Sequence, residues 1–184
     1  MRFDHGKPLS RKRDMSDPPF DPKPMLRVLQ EHEVAFIVVG VVAAVAQGSP
    51  IPTRDLDVTP SPAADNYGRV ASALRDLDAK LRLPDGSSLA FPIEARYLAG
   101  NTAWTLITRF GVLDLVYQPA GTRGYDDLRR QAFEVDLGTG KPVLVASLLD
   151  VIRMKEASNR LKDRAQLPAL RQTLEVIREQ ERRS

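Results

Sequence analysis

The sequence contains a continuous apolar run at residues 34–39, rich in β-branched side chains and followed by Gly40. Apolar and polar residues alternate in a strand with one solvent-exposed face, whereas apolar residues follow one another without a break in a strand buried on both faces. Residues 34–39 therefore predict a strand in the interior of a sheet. Residues 41–47 are small and mostly apolar and are followed by Gly48, so they predict a short helix packed behind that strand.

The rest of the chain carries a mixture of helical and strand patterns. Further helices are predicted for residues 25–33, 63–83, 125–131, 147–159 and 164–181, and further strands for residues 55–59, 104–108, 112–117, 133–137 and 143–145. Together these elements predict an α/β (α+β) fold in which a small mixed β-sheet is flanked by helices, with a helical C-terminal portion.

Three segments are predicted along the 184 residues. Residues 1–24 are rich in proline and charged residues and have few apolar side chains, which predicts a flexible basic arm. Residues 25–146 would form the α/β core. Residues 147–184 would form C-terminal helices that complete an active cleft, with Ser147 as the capping residue of the first of them.

Composition excludes several classes of site. The chain has no cysteine and only two histidines, which excludes disulfide frameworks, zinc-thiolate sites, iron–sulfur clusters and cysteine nucleophiles. Its longest apolar stretch is shorter than the ~20 residues that cross a bilayer, and its first residues lack the apolar core of a signal peptide. We therefore expect a cytoplasmic protein. A formal net charge of +3 permits a polyanionic partner without requiring one.

Three aspartates are the candidate metal ligands. Asp55 and Asp57 are two positions apart on a predicted strand, so their carboxylates share one face and could hold one or two divalent cations. Asp114 is the only charged residue in the apolar strand 112–117, where a buried carboxylate needs a compensating cation or hydrogen bonds. Helix capping and surface solvation are the alternative interpretations of these acids.

The order of motifs resembles a known enzyme superfamily. A buried strand, Gly40, a small helix and the sequence Thr53-Arg54-Asp55-Leu56-Asp57 resemble the opening of the DNA-polymerase-β-like nucleotidyltransferases. Residues 145–155, followed by residues 160–167, resemble a segment of the bacterial branch that contains AbiEii-type toxins and the mycobacterial nucleotidyltransferase toxins. The resemblance spans about residues 25–174.

The resemblance implies a role for each matching residue. Gly40 would lie under the triphosphate of an NTP, and Mg²⁺ would be held by Asp55, Asp57 and Asp114. Asp114 could instead act on the incoming hydroxyl.

Four residues would act around the bound nucleotide. Lys155 would contact the triphosphate, and Asp163 would orient Lys155 or contact the nucleotide. Arg54 and Arg160 would be further phosphate contacts. The implied reaction transfers a nucleoside monophosphate from the NTP to an acceptor hydroxyl and releases pyrophosphate. The implied acceptor is the 3′ end of tRNA, so the protein would be a toxin that blocks translation and has a cognate antitoxin protein as a partner.

Two other functions remain open at this stage. Val41 follows Gly40 where the superfamily usually has glycine or serine, and valine offers no hydroxyl donor. This departure favours a catalytically impaired module that binds or regulates. The second alternative is nucleotidyl transfer to a different acceptor, namely a protein hydroxyl or a small molecule such as an aminoglycoside. Trp104 and Phe110 could stack a base or pack in the core.

Overall fold

The computed structural model describes residues 18–183, so most of the predicted arm, residues 1–17, lies outside the described residues. The strands are β1 (Phe36–Val39), β2 (Asp55–Pro60), β3 (Lys80–Arg82), β4 (Ser88–Leu89), β5 (Ala103–Thr108), β6 (Gly111–Val116), β7 (Phe133–Val135) and β8 (Val143–Val145). They form one eight-stranded mixed sheet in the order β4-β3-β5-β6-β2-β1-β8-β7. This architecture confirms the predicted fold class.

Helices are distributed along the whole described chain. They are α1 (Pro22–Glu31), α2 (Gly40–Val45), α3 (Ala64–Asp76), α4 (Ala95–Leu98), α5 (Tyr125–Arg129), α6 (Leu148–Ser158) and α7 (Leu161–Arg183). No helix within residues 18–183 combines the length and the apolar character needed to cross a membrane.

The interior strand β1 is buried at every position, as its unbroken apolar run predicts. It pairs antiparallel with β2 and parallel with β8, which places it well inside the sheet. Gly40 ends the strand and begins α2, whose small residues Ala43 and Ala44 are fully buried. The close packing of α2 therefore depends on its lack of large side chains.

The six predicted strands are present with ends shifted by at most two residues. The prediction for residues 63–83 was wrong in its second half, because α3 ends at Asp76 and residues 80–82 form β3. Asp78 has a φ of 50°, and the N–H groups of Asp78 and Ala79 donate to carbonyls of the last helical turn. A left-handed residue at this point stops the helix and turns the chain back to the sheet.

The C-terminal helices pack against the rest of the core through α2 and against each other. The side chain of Ser147 accepts a hydrogen bond from the Asp150 N–H, which confirms the predicted cap of α6. The last helix starts at Leu161, three residues before its predicted start. Asn159, with a φ of 50°, makes the corner between the two helices and brings the first turn of α7 close to α6.

Candidate active site

Three carboxylates lie on one face of two adjacent parallel strands. β2 and β6 pair so that Asp57 is opposite Asp114 and Asp55 is opposite Val112. Side chains alternate along a strand, so Asp55, Asp57 and Asp114 point to the same side of the sheet. The residues between them, such as Leu56 and Leu113, are fully buried in the hydrophobic core on the other side.

The nearby lysines balance the negative charge of these carboxylates only in part. Burial, followed by the neighbouring charges of Asp55 and Asp114, raises the pKa of Asp57 to about 7. Burial also raises the pKa of Asp114, although a hydrogen bond from the Thr105 side chain opposes the effect. Asp114 Oδ1 is buried and has no hydrogen-bond partner among the described residues. A cation bound here would satisfy this oxygen and relieve the repulsion between the acids.

Gly40 packs directly against this site. Its φ of 66° lies in the left-handed region, and a Cβ on Gly40 would overlap Asp57 Oδ2. A side chain at this position would therefore meet both backbone strain and a collision with the central carboxylate. The glycine lets the end of β1 approach Asp57 closely.

We predict that Gly40→Ala lowers thermal stability and displaces the Asp57 carboxylate. The left-handed conformation alone costs alanine about 1–2 kcal/mol, and the collision adds to that cost. The matched control is Gly68→Ala in α3, where a Cβ meets nothing within 4 Å, so that helix propensity should make the change neutral or stabilising. Thermal unfolding measures both variants, and wild-type stability in Gly40→Ala would contradict the prediction.

Lys155, Arg160 and Asp163 form a charged cluster at the corner between α6 and α7. Lys155 is 8% exposed, and its Nζ lies 3.1 Å from Asp163 Oδ1. Arg160 Nε donates to Asp163 Oδ2 at 2.8 Å. Burial alone would raise the pKa of Asp163, but hydrogen bonds from Arg160, Ser158 and Lys155 outweigh it and lower the pKa to about 2. Asp163 is thus a permanent anion that holds two cations in place.

The charged cluster lies across a cleft from the three carboxylates, and this cleft has two compartments. Asp57, Lys155 and Arg160 line both of them. The smaller compartment, about 130 Å³, has Gly40 at its base and an apolar wall made of Val116, Pro119, Ala120, Val151 and Met154. The larger compartment, about 300 Å³, contains the three carboxylates together with Val41, Thr105 and Lys162.

Lys162 is the cation nearest to the carboxylates. Its Nζ lies 3.5 Å from Asp55 Oδ2, and its side chain is 60% exposed. A lysine this exposed can move aside at little cost, so it does not permanently occupy the space between the acids.

The residues present fit a hard divalent cation, although their side chains are not positioned as a complete set of ligands. Within residues 18–183 no three carboxylate or imidazole groups are gathered into a metal site. Asp55, Asp57 and Asp114 nevertheless offer oxygen ligands, which Mg²⁺ prefers. The pKa of Asp57 is raised and an oxygen of Asp114 has no partner among the described residues, so these acids can take up more positive charge than the nearby lysines supply.

Comparison with known structures identifies the architecture. The solution structure of the antibiotic-resistance factor ANT(2'')-Ia matches 86% of this chain and 87% of its own, with a TM-score of 0.51 and 15% sequence identity. The chain has a nucleotidyltransferase fold. The crystal structure of TM1012 from Thermotoga maritima, proposed to be a nucleotidyltransferase, matches 86% of this chain and 96% of its own, with a TM-score of 0.47 and 16% identity. No family model and no curated protein sequence matches the chain.

Not every residue implied by the resemblance lies in the cleft. Arg54 is exposed in the loop before β2 and lines neither compartment. Trp104 is buried against Phe91, with ring centroids 5.4 Å apart, and donates its Nε1–H to the Leu98 carbonyl. Trp104 thus borders the larger compartment, while its ring packs against Phe91 in the core. Val41 is 4% exposed and lines the larger compartment.

Sequence reasoning missed two basic residues near the carboxylates. From the sequence, Lys162 could be an exposed surface residue, although it directly precedes Asp163 in residues 160–167, the segment that resembles the toxin branch. Arg82 lay in the part of residues 63–83 that was wrongly predicted as helix, and its charge reaches Asp114. The three residues of β3 are too few to give a strand signal of their own, so the sequence does not reveal this basic face.

Proposed function

We propose that the protein is a Mg²⁺-dependent nucleotidyltransferase that transfers a nucleoside monophosphate from an NTP to an acceptor hydroxyl. The observation that carries this proposal is the placement of Asp57 opposite Asp114 in the β2–β6 pair, with Gly40 packed against Asp57. A floor without a side chain next to paired carboxylates gives a triphosphate room beside its counter-ions.

Asp55, Asp57 and Asp114 would hold the Mg²⁺. When bound, Mg²⁺ supplies positive charge to the phosphate oxygens and favours ionisation of the attacking hydroxyl. The acceptor oxygen forms a bond to the α-phosphorus, the bond from that phosphorus to the bridging oxygen breaks, and pyrophosphate leaves with the electron pair. Asp114 would either be the third ligand of this ion or accept the proton of the acceptor hydroxyl.

The charged cluster would act on the opposite side of the cleft. Lys155 and Arg160 would donate to triphosphate oxygens and stabilise the charge that develops on pyrophosphate. Asp163 keeps both donors in position through its two carboxylate oxygens. The apolar wall of the smaller compartment would pack against the nucleoside. Catalysis would consist mainly of positioning and electrostatic stabilisation.

The finer part of the proposal concerns the acceptor. By resemblance to the toxin branch, we propose the 3′ hydroxyl of tRNA, whose modification would block aminoacylation and therefore translation. The protein would then be a cytoplasmic toxin with a cognate antitoxin. The alternatives are transfer to a protein or small-molecule hydroxyl and, because Val41 lines the cleft, a module that binds without catalysis.

The test is incubation of the protein with Mg²⁺ and each labelled NTP, in the presence of separate pools of RNA, protein and aminoglycoside. We expect label on the RNA pool and its loss when EDTA removes the metal. Label on another pool would reject the tRNA acceptor and keep the reaction class. Absence of label on every pool, with no rise in melting temperature on addition of Mg²⁺ and NTP, would reject the enzyme proposal.

A further inference from the structure

The carboxylate-bearing face of the sheet continues beyond the cleft as an open surface. On β5, Ala103 and Thr105 point to this face and are exposed, whereas Leu106, on the opposite face, is fully buried. On β6 the same alternation leaves Val112, Asp114 and Val116 partly exposed and buries Leu113 and Leu115. The face therefore presents a shallow surface that starts at the catalytic acids and runs towards the β4 edge. We call it the open sheet face.

Strand register aligns one row of polar side chains across this face. Asp57 pairs with Asp114, and Asp114 pairs with Thr105. Leu81 pairs with Leu106 in the antiparallel β3–β5 ladder, so the next residue of β3, Arg82, lies beside Thr105. Arg82 and Lys80 are two positions apart on β3 and therefore share a face. The row begins at the acids and ends at two basic residues.

The charges at the two ends of the row have opposite sign. Asp57 and Asp114 lie at the end formed by β2 and β6, and Arg82 and Lys80 lie at the end formed by β3. Lys80 makes a surface ion pair with Asp78 at 3.4 Å, and both side chains are substantially exposed. Such a pair contributes little to stability and exchanges readily for another anion.

We propose that the open sheet face binds the acceptor, and that Arg82 and Lys80 hold a backbone phosphate of a single-stranded nucleic-acid 3′ end whose terminal hydroxyl reaches Asp114. This inference rests on the proposed nucleotidyl transfer and assigns the surface that would hold its acceptor. A cationic small molecule would be repelled by the basic end of the row. A nucleic-acid end matches the row, because its hydroxyl belongs at the acids and its phosphates belong at the arginine and lysine.

The spacing of the strands sets the length of acceptor that is recognised. Arg82 and Asp114 are separated by two strand intervals, or about 10 Å. At the ~3.4 Å rise of a stacked strand, that distance corresponds to about three nucleotides. The contact should therefore contribute to binding of an oligonucleotide and contribute nothing to binding of a mononucleoside.

The experiment compares wild-type protein with Arg82→Gln, Arg82→Lys and the control Arg96→Gln. Arg96 is an equally charged surface residue, 77% exposed and paired with Glu94. Fluorescence anisotropy with single-stranded RNA measures affinity as a function of salt, and the labelled-NTP assay measures the KM for RNA and for NTP separately. Thermal unfolding verifies that each variant is folded.

We expect Arg82→Gln to raise the Kd and KM for RNA by about 5- to 10-fold and to reduce the salt slope by about one. The KM for NTP, and kcat with saturating RNA, should be unchanged. Arg82→Lys should recover most of the affinity, and Arg96→Gln should match the wild type. A mononucleoside acceptor should not distinguish any of these proteins.

Two results would overturn the inference and leave the proposed reaction intact. One is label transfer to RNA with wild-type affinity and salt dependence in Arg82→Gln. The other is label transfer to a cationic small molecule alone. If the wild-type protein labels no acceptor, the proposed reaction fails, and RNA affinity without NTP still decides the inference: equal binding by wild type and Arg82→Gln rejects it, and weaker binding by Arg82→Gln supports it.

Discussion

Asp57→Asn is expected to lower nucleotidyl transfer by about 10³-fold or more while raising the thermal stability of the metal-free protein. The central carboxylate would be a metal ligand, and an amide of the same size supplies no negative charge. The same charge is unfavourable in the metal-free fold, because Asp57 is half-buried and lies beside Asp55 and Asp114. The substitution therefore separates function from stability. Labelled-NTP transfer, Mn²⁺ titration calorimetry and thermal unfolding measure the three effects.

The matched control is Asp126→Asn, which removes one negative charge from an exposed position of α5. It should leave transfer, Mn²⁺ affinity and melting temperature at their wild-type values. Transfer by Asp57→Asn within about 10-fold of wild type would contradict the assigned role, since removal of a group that stabilises the transition-state charge is expected to cost at least about 10²-fold. A fall in melting temperature in Asp57→Asn would show instead that the carboxylate stabilises the fold.

The second large effect is expected from Asp163→Ala, which should reduce the free energy of unfolding by about 3 kcal/mol. The substitution leaves Lys155 buried without its partner and also removes the acceptor of the Arg160 hydrogen bond. Urea unfolding measures the change. The control is Glu156→Ala, because Glu156 also joins α6 to α7 through Arg171, but both side chains are about half exposed. Breaking that surface pair should cost less than about 1 kcal/mol.

The effect of Asp163→Ala should also depend on pH. The folded-state pKa of Asp163, about 2, is below the ordinary aspartate pKa of 3.8. A carboxylate with a lowered pKa contributes stability that is fully present above its unfolded-state pKa and is lost as pH falls through the folded-state pKa. The difference in stability between wild type and variant should be constant near neutral pH and shrink between about pH 4 and pH 2. A difference that does not change over this interval would contradict an ionic role for Asp163.

The shared face of the three acids follows from the sequence because strand periodicity is local. Asp55 and Asp57 have to share a face if residues 55–59 form a strand, and Asp114 stands alone among apolar residues. The interior position of β1 follows in the same way from its unbroken apolar run. Tertiary structure then adds the pairing that places Asp57 opposite Asp114.

Features that depend on long-range pairing were missed. Leu77 and Leu81 continue the helical spacing of α3, so the pattern does not reveal the left-handed turn at Asp78. β3 and β4 contain only three and two residues, too few for a periodic signal, and they are held by their partners in the sheet. The basic end of the open sheet face was missed together with β3. Lys162 and Asp55 are 107 residues apart in the chain, and their contact depends on the direction that α7 takes after the corner at Asn159.

The acidic residues of the cleft precede its facing basic residues in the chain, and this order has a consequence during translation. The acids come from residues 55–114 and the facing cations from residues 155–163. A ribosome-bound chain that has exposed only the earlier part would have the acids without Lys155 and Arg160 to oppose them. The proposed nucleotidyl transfer would therefore begin only after the first turn of α7 has emerged from the ribosome and packed against α6.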